Sequence, residues 1–474
     1  MRIAGIYPQY YKVEPKVMPT YNEPLGLEYV LAMAKKQGHA VKLFIPVKKA
    51  DTISGIAAVS RKDFIKEIKQ FNPDVAAFSL MTTQVNKGFS IAKELKQFNP
   101  KIVTVCGGYH SSALPGIVRE KMMDFAVIGE GEYTFKELLH ALKNKGNFKS
   151  IKGLAFRKNG KLIITGPRER NQDLDSLPWP IRDIRLLKQK ELGLLYPPPS
   201  KQKGTVSLVF SKGCPYNCYF CAEPMMSKRI VIHRSPKKVV DEIQYLQKKY
   251  GINHFFFTDT NFTINKEKVL ALCNEIKKRK VKIHFEVMGS IRSCDDEMLR
   301  AMAEAGCIKI GWGIESISNQ TLAAIHKNIN ASDTERILKI AANYGILNLG
   351  FFIIGFDWED EKSILEEIKN LPKYDIHRLR VTIATPIPGS EWYTKITKKR
   401  LNKNLNLFDT EHFVYKHPKF TEQKVKELQN KIFKHFYQSP EYKKKIKLMV
   451  KKFPRYRNTF NEYFKSLPFK MFKL

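Results

Sequence analysis

The chain has 474 residues, a formal net charge of +36 and seven cysteines, with 43% hydrophobic and 11% aromatic content. That length exceeds one ordinary domain and suggests about three; the composition is globular, and a sparse, odd cysteine count excludes a disulfide scaffold. The opening "MRIAGIYPQYY" lacks the basic-then-apolar order of a signal peptide, and no apolar run approaches the ~18–20 residues of a membrane span, so a cytoplasmic protein in a reducing compartment is expected. A charge of +36 favours anionic partners such as nucleic acid, an anionic membrane or an acidic substrate. Lysine is nevertheless spread along the whole chain, as on a simply solvated surface.

From residue 1 to about 150, apolar strands alternate with amphipathic helices. "RIAGIYP", "AVKLFIP", "VAAFSL", "KIVTVCGG" and "MDFAVIGEG" read as strands, and Leu25 to Lys36 as a helix. Continuous apolar strands between helices predict a parallel sheet covered on both faces. Ligands of such sheets sit beyond the carboxyl ends of the strands. Those ends carry Ser79, Thr82, Thr83, Gly107, Gly108, Gly129 and Gly131, where small residues allow close approach to the backbone or simply make tight turns.

Residues 151–204 read as a connector, because "DLDSLPWP" and "YPPPS" are proline-rich without periodicity. A second alternating array fills 205–400, with "TVSLVF", "HFFFTD", "KIHFEVMGS", "KIGWGIES", "NLGFFIIGF" and "RLRVTIATPI" as strands. One helix is expected to start at Ser235-Pro236 and stop at Gly251, another to run from Ser332 to Tyr344. Six strand–helix units are fewer than the eight of a closed barrel, so an open, six-stranded partial barrel is predicted, with its chemistry on the loops after the strands. Residues 401–474 read as a basic, aromatic, helical extension.

The loop after the first barrel strand is "SKGCPYNCYFCAEP", which places Cys214, Cys218 and Cys221 within eight residues. Zinc, an iron–sulfur cluster and a redox disulfide are the candidates for such thiols. A structural zinc site wants a fourth ligand, and His233 is the nearest; a redox pair would leave Cys214 without a role. Three thiolates on a four-iron cluster leave one iron open, which fits best. Cys106, Cys273, Cys294 and Cys307 read as core or surface thiols.

This stretch resembles the signature of the radical S-adenosylmethionine (radical SAM) superfamily, with the aromatic Phe220 before the last cysteine. The resemblance implies a 4Fe-4S cluster on Cys214, Cys218 and Cys221, whose open iron chelates S-adenosylmethionine. It implies reductive cleavage of that cofactor to methionine and a 5′-deoxyadenosyl radical. It also carries over S-adenosylmethionine contacts: Asp259 for the amino group, Glu315 and Ser316 near the ribose and methionyl moiety, Gly355 beside the adenine, and Pro386 within "TPIPGSEWY". The segment "DWEDE" at 357–361 departs from the usual proline-glycine turn and leaves that loop's geometry open.

"CGGYHSSALPG" followed by "VIGEGEYTFKELL" resembles the cobalamin-binding half of cobalamin-dependent radical SAM proteins, a group with hopanoid and other lipid methylases and the anaerobic magnesium-protoporphyrin monomethyl ester cyclases. That implies a Rossmann-like cobalamin domain over 1–150, with Ser79, Thr82, Gly107, Gly108 and Gly129 along the nucleotide tail. The only Asp-x-His, Asp375-Ile376-His377, lies in the other domain and lacks the following glycine, so cobalt is expected without a protein histidine. The resemblance implies C-methylation of an unactivated carbon; radical cyclisation or rearrangement of a lipid- or tetrapyrrole-like substrate is the alternative. A transfer-RNA methylthiolating enzyme would carry three more cluster cysteines in the N-terminal domain, which has only Cys106. The expected partners are a small-molecule or lipid substrate, an external electron donor such as flavodoxin or ferredoxin, and an anionic membrane touching Lys443, Lys444, Lys445 and Lys447; nucleic acid is not expected.

Overall fold

The computed structural model describes residues 1–8, 23–46, 60–182, 205–467, 469 and 471–472. The first sheet contains β1 (Arg2–Ile6), β2 (Ala40–Phe44), β3 (Val75–Ser79), β4 (Val103–Gly107), β5 (Phe125–Val127), β6 (Leu154–Lys158) and β7 (Lys161–Ile164), in the order β2-β1-β3-β4-β5-β6-β7. The first five strands are parallel. Successive side chains leave opposite faces. Ile3, Val75, Ala77 and Val105 therefore pack on helices Leu25–Lys36 and Gly131–Asn144, while Ala4, Ile6, Ala76 and Phe78 pack on helices Arg61–Phe71 and Val85–Phe98. Strand order reverses between β1 and β3, which opens a crevice at their carboxyl ends.

The connector expected over 151–204 is corrected at its start. β6 and β7 form a hairpin that extends the first sheet antiparallel to β5. Alternation over so few residues, broken by the turn at Asn159-Gly160, hid these strands among the surrounding polar residues. Leu174 and Leu177 of "DLDSLPWP" then bury against Tyr29 on one side and Val209 and Ile232 on the other, so this stretch is interdomain filling. "YPPPS" lies outside the described residues.

The second sheet begins with β8 (Thr205–Leu208). The short pair β9 (Ser211–Lys212) and β10 (Ile232–His233) closes the cysteine-bearing loop. β11 (His254–Phe257), β12 (His284–Gly289), β13 (Cys307–Glu315), β14 (Leu347–Ile354) and β15 (Arg378–Ile383) complete six parallel strands in the order β15-β14-β13-β12-β11-β8, with β8 and β15 as edges. The array is an open partial barrel. Helix Pro236–Tyr250 starts with Ser235 accepting from the Lys238 N–H, and ends at Gly251 in the left-handed region. Cys273, Cys294 and Cys307 are buried in the core between strands and helices. His377 is 1% exposed and accepts the Asn348 N–H across the strands, a structural position.

The expected helical C-terminal extension is formed by helices Glu422–Gln438, Pro440–Lys452 and Arg457–Ser466, which pack on the barrel. Tyr437, Tyr442 and Tyr456 are fully buried in the barrel's core, and their hydroxyls bond the backbone at Leu379, His377 and Gly345. Lys445 corrects the membrane-facing set: its ammonium donates to the Pro372 and Tyr374 carbonyls. Lys443, Lys444 and Lys447 are exposed beside Leu448. Among the described residues no helix is long and apolar enough to cross a membrane.

Buried ion pairs fasten the two sheets together. Arg182 reaches Glu23 at 3.2 Å and Glu242 at 3.0 Å, and Arg234 reaches Glu242 at 2.6 Å. Breaking such a pair on one side leaves a buried charge unmatched, so this network fixes how the domains face each other.

Candidate active site between the two sheets

The loop between β9 and β10 turns tightly on itself, with the Cys221 N–H donating to the Cys218 carbonyl at 3.0 Å. Cys214, Cys218 and Cys221 are all half-buried. Burial pushes all three thiols up, Cys221 to about 12. The Glu223 N–H donates to the Cys221 sulfur at 3.4 Å. Among the described residues no three His, Cys, Asp or Glu side chains gather tightly enough for a single metal ion. A four-iron cluster instead takes each thiolate on a different iron.

Lys327 was missed by the sequence reading. It is mostly buried, its ammonium lies 3.0 Å from Glu315, and its charge is felt by all three thiols. Burial opposes that charge, but Glu315 and the thiols outweigh it and hold the amine protonated. No spacing rule links Lys327 to the cysteine motif; the chain return after β13 brings it there.

Asp259 is 2% exposed, and its carboxylate accepts hydrogen bonds from the loop leading to the cysteines. The Phe210 N–H donates to it at 3.0 Å, the Ser211 hydroxyl at 2.7 Å, and the Ser211 N–H also donates. Burial raises its pKa to about 6 against those donors. Asp259 is a brace for the loop.

The structure brings the other expected S-adenosylmethionine residues to the same end of the barrel. Glu315 faces Lys327, as above. The Ser316 hydroxyl donates to Glu367, which also accepts the Ile317 N–H at 3.1 Å. Phe220 packs on Phe356 with ring centroids 6.3 Å apart. The Gly355 N–H donates to Glu359 at 2.6 Å and its carbonyl accepts from the Tyr415 hydroxyl. Pro386 is buried just past β15. The loop left open at "DWEDE" is built from its acids: Glu359 closes it through Gly355 and Phe356, Asp357 pairs with Arg400 at 2.6 Å, and Asp360 caps the next helix.

Between the sheets lies a cavity of about 570 Å³. Its walls include Ser79, Gly107, Gly108 and Gly129 on one side and Ser211, Gly213 and Phe256 on the other. Gly108 has φ 97° and sits where an added Cβ would lie 3.0 Å from the Leu80 carbonyl, so the turn tolerates no side chain. Thr82 does not reach the cavity lining; its hydroxyl pairs with His110 Nδ1 at 3.2 Å inside the domain. Ser112, also missed, accepts the Gly129 N–H at 2.9 Å and donates to the Gly108 carbonyl at 2.8 Å, tying the ends of β4 and β5.

Three further residues join the cavity to the cysteine loop. The Tyr109 hydroxyl donates to Glu223, two residues past Cys221. Arg170 bonds Glu130 at 2.7 Å on the first sheet and the Ser227 carbonyl at 3.1 Å past the loop. Tyr109 directly follows the expected Gly-Gly, and Glu223 the last cysteine, so proximity in sequence was the available signal for those two. Arg170 carried none. The arrangement places the flanks of the cysteine-bearing loop, at Gly213, Glu223 and Ser227, and the glycine-walled crevice on opposite sides of one cavity.

Comparisons with known proteins agree with this division. Residues 208–366 match the radical SAM superfamily and residues 16–139 the B12 binding domain. The chain is 31% identical to an uncharacterized methyltransferase of Pyrococcus horikoshii, over 93% of each chain. It is 24% identical to an anaerobic magnesium-protoporphyrin IX monomethyl ester cyclase of Rubrivivax gelatinosus, over 88% of this chain and 73% of the relative. In fold it is similar to the cobalamin-dependent S-adenosylmethionine radical enzyme OxsB with aqua-cobalamin and S-adenosylmethionine bound, with TM-score 0.71 at 18% identity, over 98% of this chain and 72% of the other.

Proposed function

From the premise that this chain belongs to the radical SAM superfamily and carries a B12-binding domain, we propose that it methylates an unactivated carbon of a small-molecule or lipid substrate. The observation that carries this reading is the shared cavity between the cysteine loop and the glycine crevice.

The residues fit the three cofactors. Cys214, Cys218 and Cys221 are the ligand set for a 4Fe-4S cluster with one iron left open. The protonated amine of Lys327, held by Glu315, would pair with the carboxylate of S-adenosylmethionine. Gly108 and Gly129 leave backbone without side chains at the crevice, as a cobalamin tail would require. When bound, these groups supply a carbon-centred radical and a transferable methyl group. The chain's own share is orientation. Asp259 fixes the loop, and Tyr109 and Arg170 fix the crevice against it.

The test is anaerobic reconstitution with iron, sulfide and cobalamin, followed by mass analysis of products from candidate lipid, peptide and tetrapyrrole substrates. A product heavier by one methylene, with 5′-deoxyadenosine formed alongside, is expected. Substrate conversion without an added methylene would replace methylation by cyclisation or rearrangement, a reading the relative's cyclase name supports. Contact with an anionic membrane rests on Lys443, Lys444 and Lys447 beside Leu448, without Lys445, and is tested by sedimentation with anionic and neutral vesicles.

A further inference from the structure

The barrel side of the shared cavity limits what kind of substrate group fits there. Among the described residues, its charged side chains are Lys212 and Glu223. The Lys212 ammonium crosses to the first domain, 2.5 Å from Glu132 and 5.4 Å from the centre of the Tyr29 ring. The hydroxyls of this wall are also spent as donors. Ser211 donates to Asp259 at 2.7 Å, Thr258 to the Leu208 carbonyl at 3.2 Å and Ser227 to the Glu223 carbonyl at 3.0 Å. Arg170, the other cation on the lining, directs its five N–H groups at protein oxygens: Glu130 twice, and the carbonyls of Ser227, Ile230 and Lys212.

Glu223 is the exception. It lines the same cavity and is 7% exposed. The groups bonded to its carboxylate are neutral hydroxyls: Tyr109 donates to Oε2, and Thr260 bonds the same group. The other three carboxylates on the lining each hold a cation, Glu23 with Arg182, Glu130 with Arg170 and Glu132 with Lys212. The Arg170 charge is felt at Glu223, but Glu130 opposes it. A carboxylate accepts at about four positions, so two hydroxyls leave acceptor capacity unused. Val209, Met226 and Phe256 make the rest of this wall apolar. A few placed polar groups in an apolar cavity fix a ligand's orientation, and here the open one is an acceptor.

We propose that Glu223 binds the substrate by accepting a hydrogen bond from a hydroxyl or amine on an otherwise apolar skeleton; this rests on the reading above that the cavity is the substrate's site. A carboxylate or phosphate at that place would meet a like charge, with no cation on the wall free to answer it. The chain's charge of +36 attracts anions to its surface, while this cavity selects against them.

The test uses the full chain loaded with its cluster and cobalamin, and three probes built on one apolar cage: 1-adamantanemethanol, 1-adamantanemethylamine and 1-adamantanecarboxylate. Calorimetric titration in physiological salt, which screens attraction to surface lysines, reads binding without turnover. The amine should bind about tenfold or more tighter than the carboxylate, with the alcohol between them. Glu223→Gln should narrow the amine-to-carboxylate ratio about tenfold. Tyr109→Phe removes the hydroxyl that tethers Glu223 and keeps the carboxylate, so the ratio should stay within about twofold of the unmodified chain. A carboxylate bound as tightly as the amine, or a ratio unmoved by Glu223→Gln, overturns the proposal. Equal loss of the ratio in Tyr109→Phe also overturns it and leaves Glu223 as a tether between the domains. Should Glu223→Gln fail to load its cluster, the order of the three probes on the unmodified chain decides, and binding of none of them up to about 1 mM counts against the proposal. Probes bound in the expected order by a chain that takes up no cobalamin would keep this role for Glu223 and sink the methylation reading.

Discussion

Asp259 and Ser211 are locked together across the mouth of the second sheet: the Ser211 hydroxyl and N–H both donate to one carboxylate oxygen, and the Phe210 N–H donates to the other. Ser211 begins β9, three residues before the first cysteine. Removing the carboxylate by Asp259→Ala leaves buried donors without a partner, at a cost of about 2–4 kcal/mol. The expected result is low iron and sulfide content after reconstitution, together with a lower unfolding midpoint. A variant with full iron content that loses only S-adenosylmethionine affinity would return Asp259 to a direct role in cofactor binding.

Gly108 and Gly129 separate folding from ligand binding in the first domain. Both have positive φ, 97° and 78°. An alanine Cβ at Gly108 would sit 3.0 Å from the Leu80 carbonyl and 3.2 Å from its nitrogen, whereas nothing lies within 4 Å of one at Gly129. Gly108→Ala should therefore destabilise the protein by more than the roughly 1–2 kcal/mol of left-handed strain alone. Gly129→Ala should cost about that strain and no more, while a bulkier Gly129→Leu intrudes on the cavity. Cobalamin uptake followed by absorbance, beside thermal melts, distinguishes the two. Equal melts for both alanine variants would contradict the crowding at Leu80.

The parallel strands of both sheets were legible because each is a compact apolar run between helices with visible caps, as at Ser235-Pro236 and Gly251, whereas the antiparallel hairpin of β6 and β7 was not. Cys214, Cys218 and Cys221 were legible because their spacing is local. What was not legible depended on long-range closure. Asp259 stands at the expected strand end, but its carboxylate turns to a loop forty-eight residues away. Thr82 lies at a strand end and points to His110. Lys445 sits in a run of lysines that reads as solvated, yet the packing of its helix turns that one inward. Identity and charge fix which elements form; the direction of a single side chain at their ends follows from tertiary packing.

Lys327 places a positive charge within reach of the thiols inside the barrel, and Glu315 pairs with it at 3.0 Å. Lys327→Met keeps the bulk and removes the charge. The cluster should still form, since no thiolate is touched, while S-adenosylmethionine affinity should drop about 10- to 100-fold, the value of one or two charge-assisted hydrogen bonds. Equilibrium binding of S-adenosylmethionine to the reconstituted protein measures this directly. Unchanged affinity would leave Lys327 as nothing more than the counter-ion of Glu315.

Glu359 supplies the pH dependence of the loop after β14. It is 3% exposed and accepts the N–H groups of Gly355 and Phe356. Burial, reinforced by the nearby Glu367, raises its pKa from the ordinary 4.5 to about 8 despite those donors. The folded protein thus holds this proton more tightly than the unfolded chain does. The corresponding stability is fully present below about pH 4.5 and is lost as pH rises through about 8. Glu359→Gln keeps an acceptor oxygen for both N–H groups and removes the titration. The melting temperatures of wild type and Glu359→Gln should therefore coincide near pH 4.5, and the variant should become progressively the more stable of the two up to pH 8. Comparing the two proteins cancels every other titrating group, and parallel melting curves across that range would show that Glu359 is ionised throughout.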